Sequence, residues 1–209
     1  MKAACLALAL PVAGAAQAER TDYRTGLPSD LGAISTGLPT FVACPDYLAH
    51  HRAARIEAEA RPVAALDCEI AHLLSLAEPF EGEAPDPCAV IDAAVQRLDL
   101  RSFPNGLRPR LDGSGPVALD ALLAPQFAPY CGGAVASDGD HSVGVTALAA
   151  GDWTGDGAAD ALVVLEERIA TGTYLSVAPL VLTGLAGEVV TGLPVCAFLG
   201  GGPSCGGAP

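Results

Sequence analysis

The stretch Val143–Glu167 reads VGVTALAAGDWTGDGAADALVVLEE, and it decides the fold that the sequence predicts. Two apolar runs, Val143–Ala149 and Ala161–Glu167, stand on either side of a short acidic segment. Apolar runs of this length, bounded by Gly and Asp, are typical of β-strands. Because the link between them is short, the two strands are expected to pair as an antiparallel hairpin.

The hairpin is expected to continue downstream into further strands. Residues 173–182 form a third apolar run and residues 188–190 a short fourth, with a turn-like link over residues 184–187. Short links between neighbouring strands predict an antiparallel meander over residues 141–198. Pro179 lacks a backbone N–H, which is typical of an edge strand or a bulge.

Upstream of the meander, the pattern is that of helices. One helix is predicted from Asp46, a second begins at Pro62 and carries an apolar stripe at three- and four-residue steps, and a third covers Cys88–Leu98. Residues 101–140 are broken by prolines, and only Val117–Leu123 resembles a regular element.

These patterns together predict an α+β fold, in which a helical, disulfide-containing N-terminal part packs on a small C-terminal antiparallel meander. The predicted divisions are a signal peptide over residues 1–18, a mainly helical and irregular region that contains cysteines over 19–140, the meander over 141–198, and a flexible Gly-rich tail over 199–209.

The N-terminus has the features of a cleavable signal peptide. Lys2 supplies a positive charge, Ala3–Gly14 is an apolar core, and Ala16-Gln17-Ala18 fits the small-x-small cleavage rule, so that Glu19 would begin the mature chain. The apolar segment is shorter than the roughly 20 residues that a membrane span needs. The sequence therefore predicts export to the periplasm or the medium, without a membrane span.

Charge and cysteine content limit the possible partners and the compartment. The formal net charge is −13, and it becomes −14 when Lys2, the single lysine, leaves with the signal. Such a charge argues against nucleic acid and anionic lipid as partners and suits the binding of cations. An even number of cysteines in an exported chain indicates disulfides. The mature cysteines are Cys44, Cys68, Cys88, Cys131, Cys196 and Cys205.

The number of cysteines leaves the disulfide connectivity open, because six cysteines allow 15 pairings. Cys196 and Cys205 flank a Gly-rich stretch that can bend back on itself, which favours that pair as a local loop.

The acidic segment Asp152–Asp160 has the pattern of a calcium loop. Oxygen-bearing side chains stand at loop positions 1, 3, 5 and 9, and a glycine stands at position 6, where such a loop turns sharply. A hard cation takes six to eight oxygen ligands, which a tight loop can supply from alternate side chains and one carbonyl. The predicted ligands are Asp152, Thr154, Asp156, the backbone carbonyl of Ala158, and Asp160.

The segment Ala150–Val164, AGDWTGDGAADALVV, resembles the core of an FG-GAP or VCBS repeat. This is the calcium-binding strand–loop–strand unit of integrin α-chain propellers and of many bacterial exported proteins. The resemblance implies calcium ligation by the five residues named above. It covers one copy only, whereas a propeller needs several blades. The propeller fold and its adhesive role are therefore not expected here.

Three functions agree with these features. The first is an exported, non-enzymatic protein, stabilised by disulfides and calcium, that binds another macromolecule or serves the cell envelope. The second is an exported hydrolase with a structural calcium loop, and the third is an inhibitor of an exported enzyme. Trp153 has two interpretations: it contacts a partner or, as is more common for a tryptophan in such a position, it packs over the hairpin. Asp140-His141-Ser142 has the letters of a catalytic triad, yet contiguous residues do not usually form the hydrogen-bonded line of a triad.

Overall fold

The computed structural model describes residues 17–23, 34–35, 40–41, 63–105, 117–123, 128–138, 141–169, 171 and 174–200. Strands make up 43% and helices 23% of the structure, so the protein is mostly β. The predicted α+β fold with a helical N-terminal part is therefore wrong. The reason is that strands from the region assigned to helices and loops join the C-terminal strands in one sheet.

The helices of the described residues are short. They are α1 (Val63–Ser75), α2 (Pro87–Gln96), α3 (Leu119–Leu123) and a 3-10 turn at Val195–Ala197. The second and third predicted helices are confirmed as α1 and α2, and the short element predicted at Val117–Leu123 corresponds to α3. The helix predicted from Asp46 and the tail residues 201–209 lie outside the described residues.

α2 begins one residue before the predicted helix, at Pro87, and its N-terminus is capped. Pro87 occupies the first turn, where a missing N–H removes no helical hydrogen bond. Asp86 precedes it as the N-cap, and its Oδ1 accepts a hydrogen bond of 2.6 Å from the backbone N–H of Cys88.

The strands of the described residues occur in three sheets. Their bounds are β1 (Gln17–Ala18), β2 (Thr21–Asp22), β3 (Ile34–Ser35), β4 (Thr40–Phe41), β5 (Phe80–Glu81), β6 (Leu98–Asp99), β7 (Ala128–Tyr130), β8 (Gly133–Asp138), β9 (His141–Gly151), β10 (Asp160–Ile169), β11 (Leu175–Thr183) and β12 (Val190–Pro194). The main sheet has the order β6-β12-β11-β10-β9-β8-β7, and β2 also pairs with β9. The other two sheets are the pairs β1–β5 and β3–β4.

The predicted antiparallel pairing of the C-terminal strands is confirmed, since β9, β10, β11 and β12 pair in sequence order. Pro179 was predicted at an edge or a bulge. β11 lies between β10 and β12 in the sheet, but at Pro179 it is paired only with β10. Pro179 is accommodated because β12 pairs with β11 only from Leu180 to Thr183. Its missing N–H therefore falls outside that ladder.

Two further parts of the sheet come from residues that were assigned to the helical and irregular region. β6 pairs with β12 in parallel, which makes the sheet mixed. β8 pairs antiparallel with β9 and extends the sheet towards β7. In β8 the side chains of Ala134 and Ala136 are buried and those of Val135 and Ser137 are exposed, the alternation of a half-buried strand.

Both faces of the central strands are buried. On one face Val163 and its neighbours pack with α2, α3 and the Leu98–Phe103 segment. On the other face Leu162 packs with α1 and with residues around the 3-10 turn, including Val195 and Leu199. A bulge at Leu148 shifts the pairing of β9 with β10 and places Leu148 in the second of these clusters.

Disulfides connect distant parts of this fold. Cys88 at the start of α2 bonds to Cys131 in the turn between β7 and β8, at a sequence separation of 43. Cys68 and Cys196 are also disulfide-bonded. The prediction that the cysteines form disulfides is thus confirmed for Cys88 and Cys131. Cys44 and Cys205, and with them the predicted local loop, lie outside the described residues.

No helix among the described residues is long and apolar enough to cross a membrane.

A side chain at Gly151, at the end of β9, is expected to destabilise the protein. A side chain at Gly144 in the same strand is not expected to do so. A Cβ at Gly151 would lie 2.9 Å from the Cβ of Ala77 and 3.3 Å from the Trp153 ring, while a Cβ at Gly144 would meet only a carbonyl oxygen at 4.0 Å. We expect Gly151→Ala to lower the free energy of unfolding by about 1–3 kcal/mol through overpacking. Gly144→Ala should change it by less than about 1 kcal/mol.

Urea unfolding followed by the fluorescence of the single tryptophan measures both variants against the parent protein. Equal midpoints for Gly151→Ala and Gly144→Ala would contradict the close packing of Gly151 against Ala77 and Trp153.

Candidate functional site

The acidic loop joins β9 to β10 at one end of the central hairpin. β9 ends at Gly151 and β10 begins at Asp160, so the loop itself spans residues 152–159. Gly155 and Gly157 have φ values of +73° and +82°. Only glycine adopts this left-handed region without strain, which explains the two glycines at alternate positions of so tight a loop.

Asp152 is nearly fully buried, with 2% of its surface exposed, and it organises the first half of the loop. Its Oδ1 accepts a hydrogen bond of 2.7 Å from the N–H of Gly155, and its Oδ2 accepts one of 2.8 Å from the N–H of Gly157. Both oxygens of the carboxylate are therefore acceptors for loop amides. Such bonds to an ionised acceptor are stronger than neutral ones.

Asp160 organises the second half of the loop in the same way and is equally buried. Its Oδ2 accepts hydrogen bonds from the N–H groups of Trp153 and Thr154, at 3.0 and 3.1 Å, and from the Thr154 hydroxyl at 3.1 Å. The same hydroxyl lies 3.4 Å from Oδ1 of Asp152. Asp152, Thr154 and Asp160 thus bring oxygen atoms together at one point.

Asp156 and Ala158 are exposed. Oδ1 of Asp156 accepts a hydrogen bond of 2.8 Å from the N–H of Ala158. Of the five predicted ligands, hydrogen bonds therefore connect the side chains of Asp152, Thr154 and Asp160, and the side chain of Asp156 bonds to the backbone of Ala158. In the part of the chain that the structure describes, no group of three or more His, Cys, Asp and Glu is arranged to hold a metal ion.

The electrostatics of the loop show an excess of negative charge. Burial raises the pKa of Asp160 above its usual value, and the neighbouring Asp156 carboxylate acts in the same direction. The hydrogen bonds from Trp153 and Thr154 oppose this rise, because they stabilise the ionised form. An ionised Asp160 is therefore less favourable in the folded protein than in water.

Trp153 fixes the loop to α1. Its ring is 8% exposed, and its Nε1–H donates a hydrogen bond of 2.9 Å to the carbonyl oxygen of Leu73. The ring belongs to the apolar cluster between the sheet and α1. The interpretation that Trp153 packs over the hairpin is thus confirmed, and the side chain does not present a surface to a partner.

The loop also contacts the segment that follows α1. The backbone groups of Asp152 and Glu78 exchange two hydrogen bonds, of 2.8 and 3.1 Å. The N–H of Glu81 donates to the carbonyl oxygen of Gly157 at 2.9 Å. Glu81 lies in β5, which pairs with β1, so these contacts link the loop to the N-terminal part of the described chain.

A second pair of polar side chains, Glu167 and Tyr174, lies at the opposite end of the hairpin. This pair was not predicted from the sequence. Glu167 of β10 is 2% exposed, and the hydroxyl of Tyr174 donates to its Oε2 at 3.4 Å. Burial and the charge of Glu167 raise the pKa of Tyr174. Only the cross-strand pairing of Glu167 with Ser176 places these side chains near each other, so a linear pattern gives no signal for them.

His141 and Ser142, two letters of the triad-like tripeptide, are consecutive residues of β9. Consecutive side chains of a strand point to opposite faces of the sheet, so they cannot face one substrate together. Asp140 lies outside the described residues.

Comparison with protein-family models, with curated proteins and with solved structures finds no match to this chain. The likeness of Ala150–Val164 to an FG-GAP or VCBS repeat therefore stays a prediction that rests on those residues alone.

Replacing each buried aspartate by asparagine should have opposite effects in the absence of calcium. In Asp152→Asn one carboxylate oxygen becomes an NH₂ group that faces the N–H of Gly155 or Gly157, and we expect a loss of about 1–3 kcal/mol in the free energy of unfolding. In Asp160→Asn the remaining oxygen can still accept from Trp153 and Thr154, and the unfavourable charge is gone. This variant should be at least as stable as the parent at neutral pH.

The dependence on pH follows from the raised pKa of Asp160. An acid whose pKa is higher in the folded than in the unfolded state binds more protons when folded, so it loses stability as pH rises through that window. The advantage of Asp160→Asn over the parent should therefore grow as pH rises above about 4, the usual pKa of Asp, in a chelator-containing buffer. Denaturant titrations at several pH values measure it, and a difference that is flat or of opposite sign would refute this description of Asp160.

Proposed function

We propose that this chain is an exported, disulfide-stabilised protein with a binding or envelope role and no enzymatic activity, and that its Asp152–Asp160 loop holds a structural calcium ion. One observation carries the proposal: two carboxylates, Asp152 and Asp160, are almost fully buried around the hydroxyl of Thr154 at the tip of the central hairpin. Buried carboxylates are rare unless they are paired or coordinate a metal.

The donor atoms of this cluster suit calcium in kind and in spacing. All of them are oxygens, which calcium prefers, and the Thr154 hydroxyl lies 3.1 Å from one carboxylate and 3.4 Å from the other. Oxygens at this separation can neighbour each other around an ion that binds each of them at about 2.3–2.6 Å. Asp156 is the third carboxylate of the loop, and its charge already acts on Asp160.

Calcium would supply charge neutralisation and no chemistry of its own. The loop amides of Gly155, Gly157, Trp153 and Thr154 already orient the two buried carboxylates. A cation would offset the burial and the repulsion by Asp156 that raise the pKa of Asp160, and it would stabilise the ionised form of Asp160. The loop also contacts α1 and β5, so an ion there would stabilise the hairpin together with these elements.

The proposed export is supported by the disulfide between Cys88 and Cys131, because such bonds persist in oxidising compartments. A binding role is supported by the far end of the β10–β11 hairpin. There Ile169, Tyr174 and Leu175 are 39%, 42% and 50% exposed, and neighbouring exposed apolar side chains commonly mark interaction surfaces.

Calcium is expected to stabilise the parent protein and not the variant Asp156→Ala. Asp156 is exposed and bonds only within its own turn, so its removal should disturb the apo fold little. With dissociation constants of about 10⁻⁴–10⁻³ M, which are common for extracellular modules, 10 mM calcium should add about 1.4–2.7 kcal/mol to the free energy of unfolding.

Calorimetric titration and thermal melting of the chelator-treated protein measure this effect. Asp92→Ala is a matched control, since Asp92 is an exposed aspartate of α2 away from the loop. The control should keep the full calcium response. If millimolar calcium changes neither the heat nor the melting temperature of the parent, the loop is a turn closed by its own amides and the calcium part of the proposal fails.

Export is tested separately by sequencing the N-terminus of the protein recovered from its native host. The mature chain should begin at or near Glu19. Cleavage there removes Gln17 and Ala18, and with them strand β1. The pairing of Thr21–Asp22 with β9 and the hydrogen bond from Arg20 to the Leu74 carbonyl remain available to hold the new terminus. Recovery of chains that still begin at Met1 would sink the export proposal without affecting the calcium proposal.

A further inference from the structure

The cysteines of the described chain differ sharply in exposure. Cys68 and Cys196 are disulfide-bonded and completely buried, with 0% of their surface exposed. Cys131 is exposed, and its partner Cys88 is half-buried. Because a thiol must reach a sulfur atom to attack it, access alone separates Cys88–Cys131 from the bonds made by the two buried cysteines.

The surroundings of Cys131 make it the accessible side of the bond. It lies in the tight turn that joins β7 to β8, next to Gly132 with φ of +87°. Among the described strands, β7 is the edge of the main sheet and has β8 as its neighbour. The turn therefore lies at the rim of the sheet.

The surroundings of Cys88 make it the better leaving group. It stands in the first turn of α2, where backbone N–H groups lack helical acceptors and where the helix dipole favours negative charge. Thiolates at such positions are stabilised. Asp86 opposes this stabilisation of a Cys88 thiolate. Its carboxylate accepts a hydrogen bond from the backbone N–H of Cys88, so it brings a negative charge close to Cys88.

We propose that Cys88–Cys131 is an exchangeable disulfide, and that it is the point at which a dithiol–disulfide exchange protein acts on the folded chain. The partner is defined by its chemistry, a pair of thiols of which one is ionised near neutral pH. The attack goes to Cys131, and Cys88 leaves.

The exchange is a two-electron reaction in two steps. A thiolate of the partner attacks Sγ of Cys131, a mixed disulfide forms, the Cys88–Cys131 bond breaks, and Cys88 leaves as a thiolate that takes a proton from water. The second thiol of the partner then attacks the mixed disulfide and releases Cys131. The partner ends as a disulfide, and the protein gains two electrons and two protons as two thiols.

The structural consequence of reduction is confined to one edge of the sheet. The disulfide links the β7–β8 turn to the start of α2, and its reduction removes this covalent link. The N–H of Ala147 still donates to the carbonyl oxygen of Gly132 at 3.0 Å, and Ala134 and Ala136 of β8 remain in the core. Reduction should therefore loosen the β7–β8 hairpin while β9, β10 and β11 keep their pairing.

Timed reduction of the folded, oxidised protein tests the proposal. Samples taken from dithiothreitol at neutral pH are quenched with an alkylating agent, and peptide mass spectrometry follows each cysteine. Cys88 and Cys131 should become alkylated together, at least about tenfold faster than Cys68 and Cys196. Equal or slower alkylation of Cys88 and Cys131 would overturn the proposal.

Two variants test the direction of attack and the role of the helix terminus. A thioredoxin-type protein with its second active-site cysteine replaced by serine should be trapped as a mixed disulfide on Cys131, and trapping on Cys88 would refute the proposed order. Asp86→Ser keeps an N-cap hydroxyl but removes the charge. It should speed reduction by roughly 2- to 5-fold, and an unchanged or lower rate would show that Cys88 is not the leaving thiolate.

Hydrogen exchange locates the structural effect. Residues 128–138 should exchange faster after reduction, whereas residues 160–169 should not. Uniform protection in both forms would show that the disulfide does not hold the β7–β8 hairpin, and a global loss of protection would show that it holds the whole fold.

Discussion

The fold depends on the burial of the central hairpin on both of its faces. Leu162 and Val163 are neighbours in β10, yet one belongs to the cluster under α1 and the other to the cluster under α2. A strand that is covered on both sides is apolar at every position instead of at alternate positions. This also fixes the register, because a shift by one residue would exchange the two sets of side chains between layers of different shape. Strands β2, β8 and β11 pair directly with β9 or β10, and α1 and α2 pack on the two faces of these strands.

This constraint explains which parts of the fold could be predicted from the sequence. The runs that became β9 and β10 were found because dense apolar segments end at the Asp and Gly residues of a tight loop. The helix at Cys88–Leu98 is predicted from its apolar face, and Val90, Ile91, Ala94 and Val95 of that face are buried in α2. In each case the physical cause acts between residues close in sequence, so a linear pattern contains it.

The parts that were not predicted arise from contacts between distant residues. β8 has the sequence GAVASD, in which Val135 is the single β-branched residue and Gly, Ala and Asp have little preference for strands, so its pairing with β9 decides its structure. β6 has two residues and exists because Leu98 pairs with Val190 from the other end of the chain. The same limit applies to the loop. Its spacing indicated the carboxylates that converge at Thr154, but not that Asp156 would bond within its own turn or that Glu167 would be buried beside Tyr174.

The acidic loop and the exposed disulfide secure different parts of one sheet by different means. At the centre, β10 has neighbours on both sides, and its loop needs to offset only the charge of Asp152 and Asp160. Trp153 connects this loop to α1, because its Nε1–H donates a hydrogen bond to the Leu73 carbonyl oxygen. At the edge, β7 has one strand neighbour among the described residues, so fewer hydrogen bonds hold it, and the Cys88–Cys131 bond supplies a tie to α2 instead. A cation would therefore act on the part of the fold that is already most buried. A thiol would act on the part that packing holds least. Strand β9 connects the two sites, because it leads into the acidic loop and its Ala147 N–H donates to the Gly132 carbonyl oxygen beside Cys131.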